Sequence, residues 1–365
     1  MIAHLRRIAF VCYCIAGIGH GQRLQLVSAP KHRLASARNW HPEKSKTKYS
    51  MLPEVERMKL GTRKGNFGTL ASLAMVLMAA APASPIRRVL VTGANKGIGL
   101  QICKKIVQTV PDAHVLLCSR SVSRGEKALQ EIILADATAK GRVELLELDV
   151  ADEESISAAA KEVKQRYPDE EFPLFAICNN AGIGFGRSIE ETLKTNFYGT
   201  KLVSEAFLPL LDPAIGRICN IASASGPMFV AQANRELKQL FTSRQTTWEE
   251  LEAYLSKASK MGRSQGDAYG LSKAAVNQWT MQFAKANPSL RVNSCSPGYI
   301  LTDLTRGMGA TTTPEKSNCH VAPLFLLFGD VTQPEVNQGR YYGSDAVRSP
   351  IDKYRGPGDP PFRGD

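Results

Sequence analysis

Two side chains that could take part in proton transfer lie four residues apart in the segment YGLSK, residues 269–273. A tyrosine has an unperturbed pKa of about 10, so alone it is a poor acid at neutral pH. Lys273 follows Tyr269 by one helical turn and lies on the same helix face, where its ammonium can favour ionisation of the phenol. Because YxxxK is common by chance, the pair could equally be an ordinary surface contact. The rest of the chain decides between the two.

A glycine-rich segment, TGANKGIG (92–99), follows directly on the first predicted strand. Its glycines permit a tight turn and, lacking Cβ atoms, let a pyrophosphate approach the backbone. A helix predicted to begin near Ile98 would direct its free N–H groups at the phosphates. The segment therefore predicts a dinucleotide site that includes Gly93, Asn95, Lys96, Gly97, Ile98 and Gly99.

The end of the second predicted strand indicates which nicotinamide cofactor is bound. An acidic residue there would take the ribose 2′-hydroxyl of NAD, but the strand LLCSR ends in Ser119 and Arg120. The Arg120 guanidinium can hold a 2′-phosphate through charge-assisted hydrogen bonds, and Lys96 supplies a second cation. These residues predict NADPH.

Two later strand ends complete the predicted cofactor site. Asp149, followed by Val150, either accepts a hydrogen bond from the adenine amino group or caps the following loop. The segment NNAG ends the fourth strand, and small residues after Asn180 let the chain pass close to the cofactor at Ala181 and Gly182.

Short apolar segments alternate with helical ones from Arg87 onward. Nearly continuous apolar strands separated by 10–20 residues of helix are typical of a parallel sheet covered on both faces. We predict an α/β fold with one Rossmann-type doubly wound parallel sheet of about seven strands, over residues 86–345. A segment rich in Pro, Gly and charged residues, 346–365, is predicted to be extended. The strands are predicted at 88–93, 114–119, 143–149, 174–180, 217–223, 291–297 and 339–344.

The charge distribution argues against a nucleic-acid-binding domain. The chain has a formal net charge of +12, but residues 1–85 hold 13 Lys and Arg against 3 Asp and Glu, and the remainder holds 33 against 31. A nucleic-acid-binding domain would concentrate positive charge on a folded face.

The eight cysteines form no CxxC pair and no zinc-ligand spacing, so no metal is expected. Five of them lie in apolar stretches and are predicted to be buried reduced thiols, at 103, 118, 178, 219 and 295.

The first 85 residues do not resemble part of a folded domain. Two apolar runs, 8–18 and 70–83, are both short for a membrane helix, and the stretch between them is basic and poor in acidic residues. Either the segment is a targeting extension for a plastid or another organelle, or translation begins near Met78 and the protein is cytoplasmic. A stable membrane span is not expected.

Taken together, these motifs resemble the short-chain dehydrogenase/reductase family. TGxxxGxG, NNAG, YGLSK and SPGYILTD occur in the family's order and approximate spacing over about residues 86–345. The resemblance implies that Tyr269 donates a proton, while Lys273 lowers its pKa and binds the nicotinamide ribose. It also implies that Ser223 hydrogen-bonds the substrate carbonyl oxygen and that Asn196 holds a water linking Lys273 to solvent.

A helical insertion separates the serine from the tyrosine. Ser223 and Tyr269 are 46 residues apart, whereas ordinary members of the family have about 13. Within the insert, 227–266, Thr247 and Glu250 form a predicted capping box ahead of an apolar helix face that begins at Trp248. Such an insertion is similar to that of the carbonyl reductase branch. There it covers the surface through which other members oligomerise, which implies a monomer.

The segment after the sixth strand is expected to run over the nicotinamide. By the resemblance, Pro297, Gly298, Ile300 and Thr302 contact the cofactor, and Tyr299 forms a pocket wall. The implied reaction is NADPH-dependent reduction of a ketone, aldehyde or quinone to an alcohol. The alternatives are a branch acting on a steroid, retinoid or pigment precursor, and a non-catalytic protein that senses NADPH.

Overall fold

The computed structural model describes residues 86–260, 265–330 and 338–364, with side chains from 268 onward in the second range. The targeting segment predicted for residues 1–85 lies outside the described residues. No helix within the described residues has the length and apolar character that crossing a membrane requires.

One sheet of eight strands forms the centre of the domain. Its strand order is β3-β2-β1-β4-β5-β6-β7-β8, and all pairs are parallel except β7 with β8. This confirms the predicted doubly wound α/β fold. The strands are β1 (Arg87–Val91), β2 (Ala113–Ser119), β3 (Val143–Glu147), β4 (Ala176–Asn179), β5 (Arg217–Ile221), β6 (Arg291–Cys295), β7 (Tyr341–Tyr342) and β8 (Arg348–Ser349).

The prediction of about seven strands missed β8. This strand has two residues and lies within 346–365, the segment predicted as extended chain. Two residues are too few to show any hydrophobic period. A long-range ion pair holds the segment in place, because Arg355 donates to both carboxylate oxygens of Asp345 at 3.0 and 2.8 Å.

Helices cover both faces of the sheet. Along β1, Leu90 belongs to one apolar core layer, while Val89 and Val91 belong to the layer on the opposite face, and all three are fully buried. This explains the nearly continuous apolar strands. The helices are α1 (Gly97–Thr109), α2 (Val122–Ala135), α3 (Glu153–Arg166), α4 (Ile189–Leu193), α5 (Gly199–Phe207), α6 (Ser225–Ala231), α7 (Arg235–Thr242), α8 (Trp248–Lys260), α9 (Gln265–Ala286) and α10 (Val321–Phe328). The five cysteines predicted as buried thiols are all buried and free.

The insertion is helical, as predicted, and packs onto the α4–α5 region. The capping box forms, because Thr247 N–H donates to Glu250 Oε2 at 2.9 Å and Glu250 N–H donates to Thr247 Oγ1 at 3.3 Å. Leu251 and Leu255 on α8 are fully buried, which is worth about 1.5–3 kcal/mol each. The half-buried Trp248 stacks on Phe197 at 6.2 Å.

We propose that the protein is a monomer, because α8 occupies a helical surface that could otherwise serve as a subunit interface. Light scattering on the full chain at micromolar concentration should give the mass of one chain. Leu255→Asp places a charge in the buried seam and should promote association, whereas Ala253→Asp, on the exposed face of α8, should not. A stable tetramer of the wild-type chain would contradict the proposal.

Candidate active site

Tyr269 and Lys273 lie on one face of α9 and are both buried, with 8% and 4% of their surfaces exposed. Lys273 Nζ donates to the carbonyl oxygen of Ile221, the last residue of β5, at 2.8 Å. The nitrogen lies 5.7 Å from the centre of the Tyr269 ring. The pair is therefore no surface contact, and it sits at the carboxyl end of the central strands, where parallel sheets bind ligands.

Burial shifts the two pKa values in opposite directions, because it disfavours the charged form of each group. It raises the pKa of Tyr269 to about 12, opposite to the lowering by Lys273 that the sequence predicted, and a hydrogen bond with Ser223 opposes part of the rise. It lowers the pKa of Lys273 to about 8. At neutral pH the protein alone thus holds a protonated phenol beside a lysine that is largely charged.

Ser223 follows β5 and hydrogen-bonds the Tyr269 hydroxyl. Its own hydroxyl donates to Ser225 Oγ at 3.3 Å, and the Ser225 N–H donates back to Ser223 Oγ at 3.2 Å. These bonds fix Ser223 at the start of α6. The structure therefore brings together Ser223, Tyr269 and Lys273, which lie up to 50 residues apart in the sequence.

Two glycines let α6 approach α9 closely enough for the serine to reach the tyrosine. A Cβ added to Gly226 would lie 2.9 Å from the backbone carbon of Lys273 and 3.0 Å from the nitrogen of Ala274. A Cβ on Gly270 would lie 3.0 Å from Phe229 Cβ. Any larger residue at 226 would force the helices apart, since backbone atoms within a helix cannot yield separately.

Asn196 lies in a π-helical turn, Lys194–Tyr198, between α4 and α5. Its side chain ties the chain after β4 to α9: Nδ2 donates to Ile183 O at 3.0 Å and to Ser272 Oγ at 3.1 Å, and Oδ1 accepts from Ile183 N at 2.8 Å. Its backbone carbonyl accepts from Thr200 Oγ1 at 2.9 Å. The observed contacts are structural, and the predicted water-binding role stays a prediction.

A groove of about 910 Å³ runs along the ends of β1, β2 and β4. It adjoins Lys273 and Asn196: a Cβ on Gly182 would lie 3.7 Å from Lys273 Nζ and 3.2 Å from Asn196 Oδ1. Phe185 also lines the groove, and its ring lies 4.8 Å from that of Tyr269. Of the residues predicted to bind the cofactor, the groove is lined by Gly93, Asn95, Lys96, Gly97, Ile98, Gly99, Arg120, Asp149, Val150, Asn180, Ala181, Gly182 and Thr302.

The groove suits a dinucleotide with a 2′-phosphate. Gly93 and Gly97 have φ values of +62° and +61°, which favour glycine, and a Cβ on Gly93 would lie 2.9 Å from Ala181 Cα. Helix α1 has no side-chain cap and no acidic residue in its first turn, so its positive end is free for phosphate. The exposed Arg120 extends from the end of β2, where no acid stands.

Three predicted cofactor residues lie elsewhere. Pro297, Gly298 and Ile300 line a separate cleft of about 290 Å³, together with Tyr299. The chain turns at Gly298, which has a φ of +96°. Spacing after a strand could not show on which side of this turn each residue would lie.

Two other predicted contacts are already engaged within the protein. Asp149 Oδ1 accepts from Ala151 N–H at 3.0 Å, which is the loop-capping alternative. Lys96, predicted as a second cation for the 2′-phosphate, pairs instead with Asp303 Oδ2 at 2.6 Å.

Sequence reasoning missed Asp303, Phe185 and Gly226, because each acts through a contact with a distant segment. Only for Gly226 did the sequence offer a signal, because a glycine so soon after Ser223, in SASG (223–226), can indicate a close approach of two backbones.

Comparisons with known proteins agree with this geometry. The family model described as short chain dehydrogenase matches residues 87–234 and 254–313. Carbonyl reductase (NADPH) 1 of Homo sapiens is 32% identical over 273 residues, covering 69% of this chain and 95% of that protein. The structure of menthone neomenthol reductase from Mentha piperita, 28% identical, has a TM-score of 0.57 and covers 72% of this chain and 99% of its own. The structure of salutaridine reductase from Papaver somniferum is 27% identical and has a TM-score of 0.59. The match covers 70% of this chain and 99% of that protein.

The close approach of α6 and α9 can be tested by Gly226→Ala. The added methyl group should push α6 outward and move Ser223 away from Tyr269. Because misplacements of about 1 Å can cost about 100-fold in rate, we expect enzymatic turnover to fall at least about tenfold. The dissociation constant for NADPH should hardly change. The control is Ala231→Ser, on the exposed end of α6. Full turnover by Gly226→Ala would show that this spacing does not position the serine.

Proposed function

The chain belongs to the short chain dehydrogenase family and is an oxidoreductase, and on that premise we propose that it reduces a carbonyl compound to an alcohol with NADPH. The observation that carries the proposal is the cluster of the partly buried Ser223 with the buried Tyr269 and Lys273 beside the groove. The cluster supplies an acid, a hydrogen-bond donor and a cation where a carbonyl oxygen would become an alkoxide.

When bound, NADPH supplies the hydride. Tyr269, protonated at neutral pH because its pKa lies at about 12, donates the proton that the carbonyl oxygen requires. Ser223 donates a hydrogen bond to the same oxygen as negative charge develops there. The ammonium of Lys273, close to the phenol and held by Ile221 O, stabilises the tyrosinate that remains.

Selection of NADPH over NADH rests on the end of β2. Arg120 is exposed and lines the groove, and Ser119 stands where an acid would select NAD. Arg124 lies one turn further, exposed in the first turn of α2, and would add a second cation for the 2′-phosphate. The name of the human relative, carbonyl reductase (NADPH) 1, agrees with this choice.

The surroundings of Tyr269 favour an apolar carbonyl substrate. Phe185 covers one side of the phenol ring and exposes 39% of its own surface. The human relative is named for carbonyl reduction, and the two plant enzymes are named for reducing menthone and salutaridine. A bulky ketone, aldehyde or quinone is the class we propose.

Tyr269→Phe tests the proposal, because it removes the acidic hydroxyl and keeps the ring. NADPH oxidation would be followed with menadione, isatin and aliphatic and aromatic aldehydes. We expect at least one to be reduced by the wild type and turnover to fall at least about 100-fold in the variant, since general acid catalysis contributes about 10²–10⁴-fold. NADPH binding should persist. Tyr354→Phe, at an exposed tyrosine, is the matched control. Substantial turnover by Tyr269→Phe would show that the acid is another group.

A further inference from the structure

A carboxylate lies in the groove that is proposed to hold phosphates. Asp303 lines this groove together with the glycine loop and Arg120. A fixed negative charge there opposes the binding of an anionic cofactor, so its presence needs an explanation. Asp303 is not alone, because Lys96 Nζ lies 2.6 Å from its Oδ2 and Arg306 lies 2.8 Å from its Oδ1.

The backbone around Asp303 is held in place by its own turn and by both walls of the groove. Thr302 N–H donates to Thr305 Oγ1 at 3.0 Å, and that hydroxyl donates to Ile300 O at 2.5 Å. A Cβ on Gly97 would lie 3.7 Å from Thr302 Cγ2, and a Cβ on Gly184 would lie 2.6 Å from Leu304 Cγ. Asp303 is therefore a fixed partner, whereas Lys96 is a long and flexible one.

The Lys96–Asp303 pair is too exposed to act as a strong clamp. The two side chains are 62% and 56% exposed, and such pairs change an equilibrium by a factor of about five or less. A phosphate with nearly two negative charges is a stronger partner for an ammonium than one carboxylate. When both compete for Lys96, the phosphate wins.

We propose that Lys96 rests on Asp303 in the free protein and moves to the 2′-phosphate when NADPH binds, so that Asp303 tunes the selectivity for NADPH over NADH. The proposal rests on the NADPH dependence proposed above. NADH lacks the 2′-phosphate and leaves the ion pair intact. Every NADPH molecule instead displaces Asp303 from Lys96, which lowers its affinity relative to a protein without that carboxylate.

Two features make this exchange feasible. Lys96 follows β1 and Arg120 follows β2, and because these strands are neighbours, both cations line the groove from adjacent loops. Arg306 remains beside Asp303 after Lys96 leaves, so the carboxylate keeps a cationic partner. The exchange therefore leaves neither Lys96 nor Asp303 without a partner of opposite charge.

The test is a double-mutant cycle on the full chain, with cofactor fluorescence giving the dissociation constants of NADPH and NADH. The readout is the ratio of the NADH constant to the NADPH constant, and we expect it to exceed about tenfold in the wild type. Asp303→Asn should raise this ratio by about two- to fivefold, the worth of an exposed ion pair. Lys96→Met should lower it, and adding Asp303→Asn to Lys96→Met should leave it unchanged.

Glu315→Gln is the matched control, because Glu315 also lines the groove and Lys96 does not pair with it. Loss of a general repulsion would strengthen the binding of both cofactors, and that of NADPH slightly more because of its extra charge, so Glu315→Gln measures this background against which the larger rise in Asp303→Asn is compared. Thermal melting would confirm that every variant is folded.

Three outcomes would overturn the inference. An unchanged ratio in Asp303→Asn would show that Asp303 does not compete with the 2′-phosphate. If Asp303→Asn weakened the binding of NADPH and NADH equally, the Lys96–Asp303 pair would act by holding either cofactor in the groove. If Asp303→Asn still raised the ratio of dissociation constants in the Lys96→Met background, Lys96 would not mediate the effect of Asp303. If the wild type bound neither cofactor, the proposed function itself would fail, which is a separate result.

Discussion

The exclusion of water from Tyr269 and Lys273 is the constraint on which the rest of the site depends. An ammonium with 4% exposure is costly unless it is hydrogen-bonded, and Ile221 O at the end of β5 supplies the partner. The same burial raises the pKa of the Tyr269 phenol to about 12, so the phenol stays protonated well above neutral pH. Burial also lowers the pKa of Lys273 to about 8, so the ammonium is still largely charged at neutral pH, and these are the protonation states that the proposed reduction requires.

The surrounding elements maintain this burial while leaving access for a substrate and a cofactor. Gly226 and Gly270 allow α6 to pack closely against α9. This packing covers Tyr269 and Lys273 from one side and places Ser223 beside Tyr269. The π-helical turn presents the Asn196 side chain to both Ile183 and Ser272, so the chain after β4 is fixed to α9. Gly182 then passes between Asn196 and Lys273, where an added Cβ would lie 3.2 Å from Asn196 Oδ1 and 3.7 Å from Lys273 Nζ.

The sequence predicted those parts of the molecule whose signals are local. The apolar strands, the glycine loop, the YGLSK pair and the Thr247–Glu250 capping box each depend on residues close together in the chain. Contacts between distant segments could not be predicted: Lys96 and Asp303 are 207 residues apart, and nothing in either segment indicates the other. The two-residue strand β8 and the second cleft, which Pro297 and Ile300 line around the turn at Gly298, likewise depend on tertiary packing.

The pH dependence of kcat/KM for NADPH, from pH 7 to pH 10 in the direction of reduction, tests most directly whether burial sets the state of the pair. Lys273 is charged below its pKa of about 8 and neutral above it, whereas Tyr269 stays protonated throughout. We therefore expect kcat/KM to be level near pH 7 and to fall as the pH rises through about 8. In Lys273→Arg, whose charge persists, residual activity should lack this fall. A wild-type profile that stays level to pH 10, or one that rises through neutral pH as a required tyrosinate forms, would contradict this view of the site.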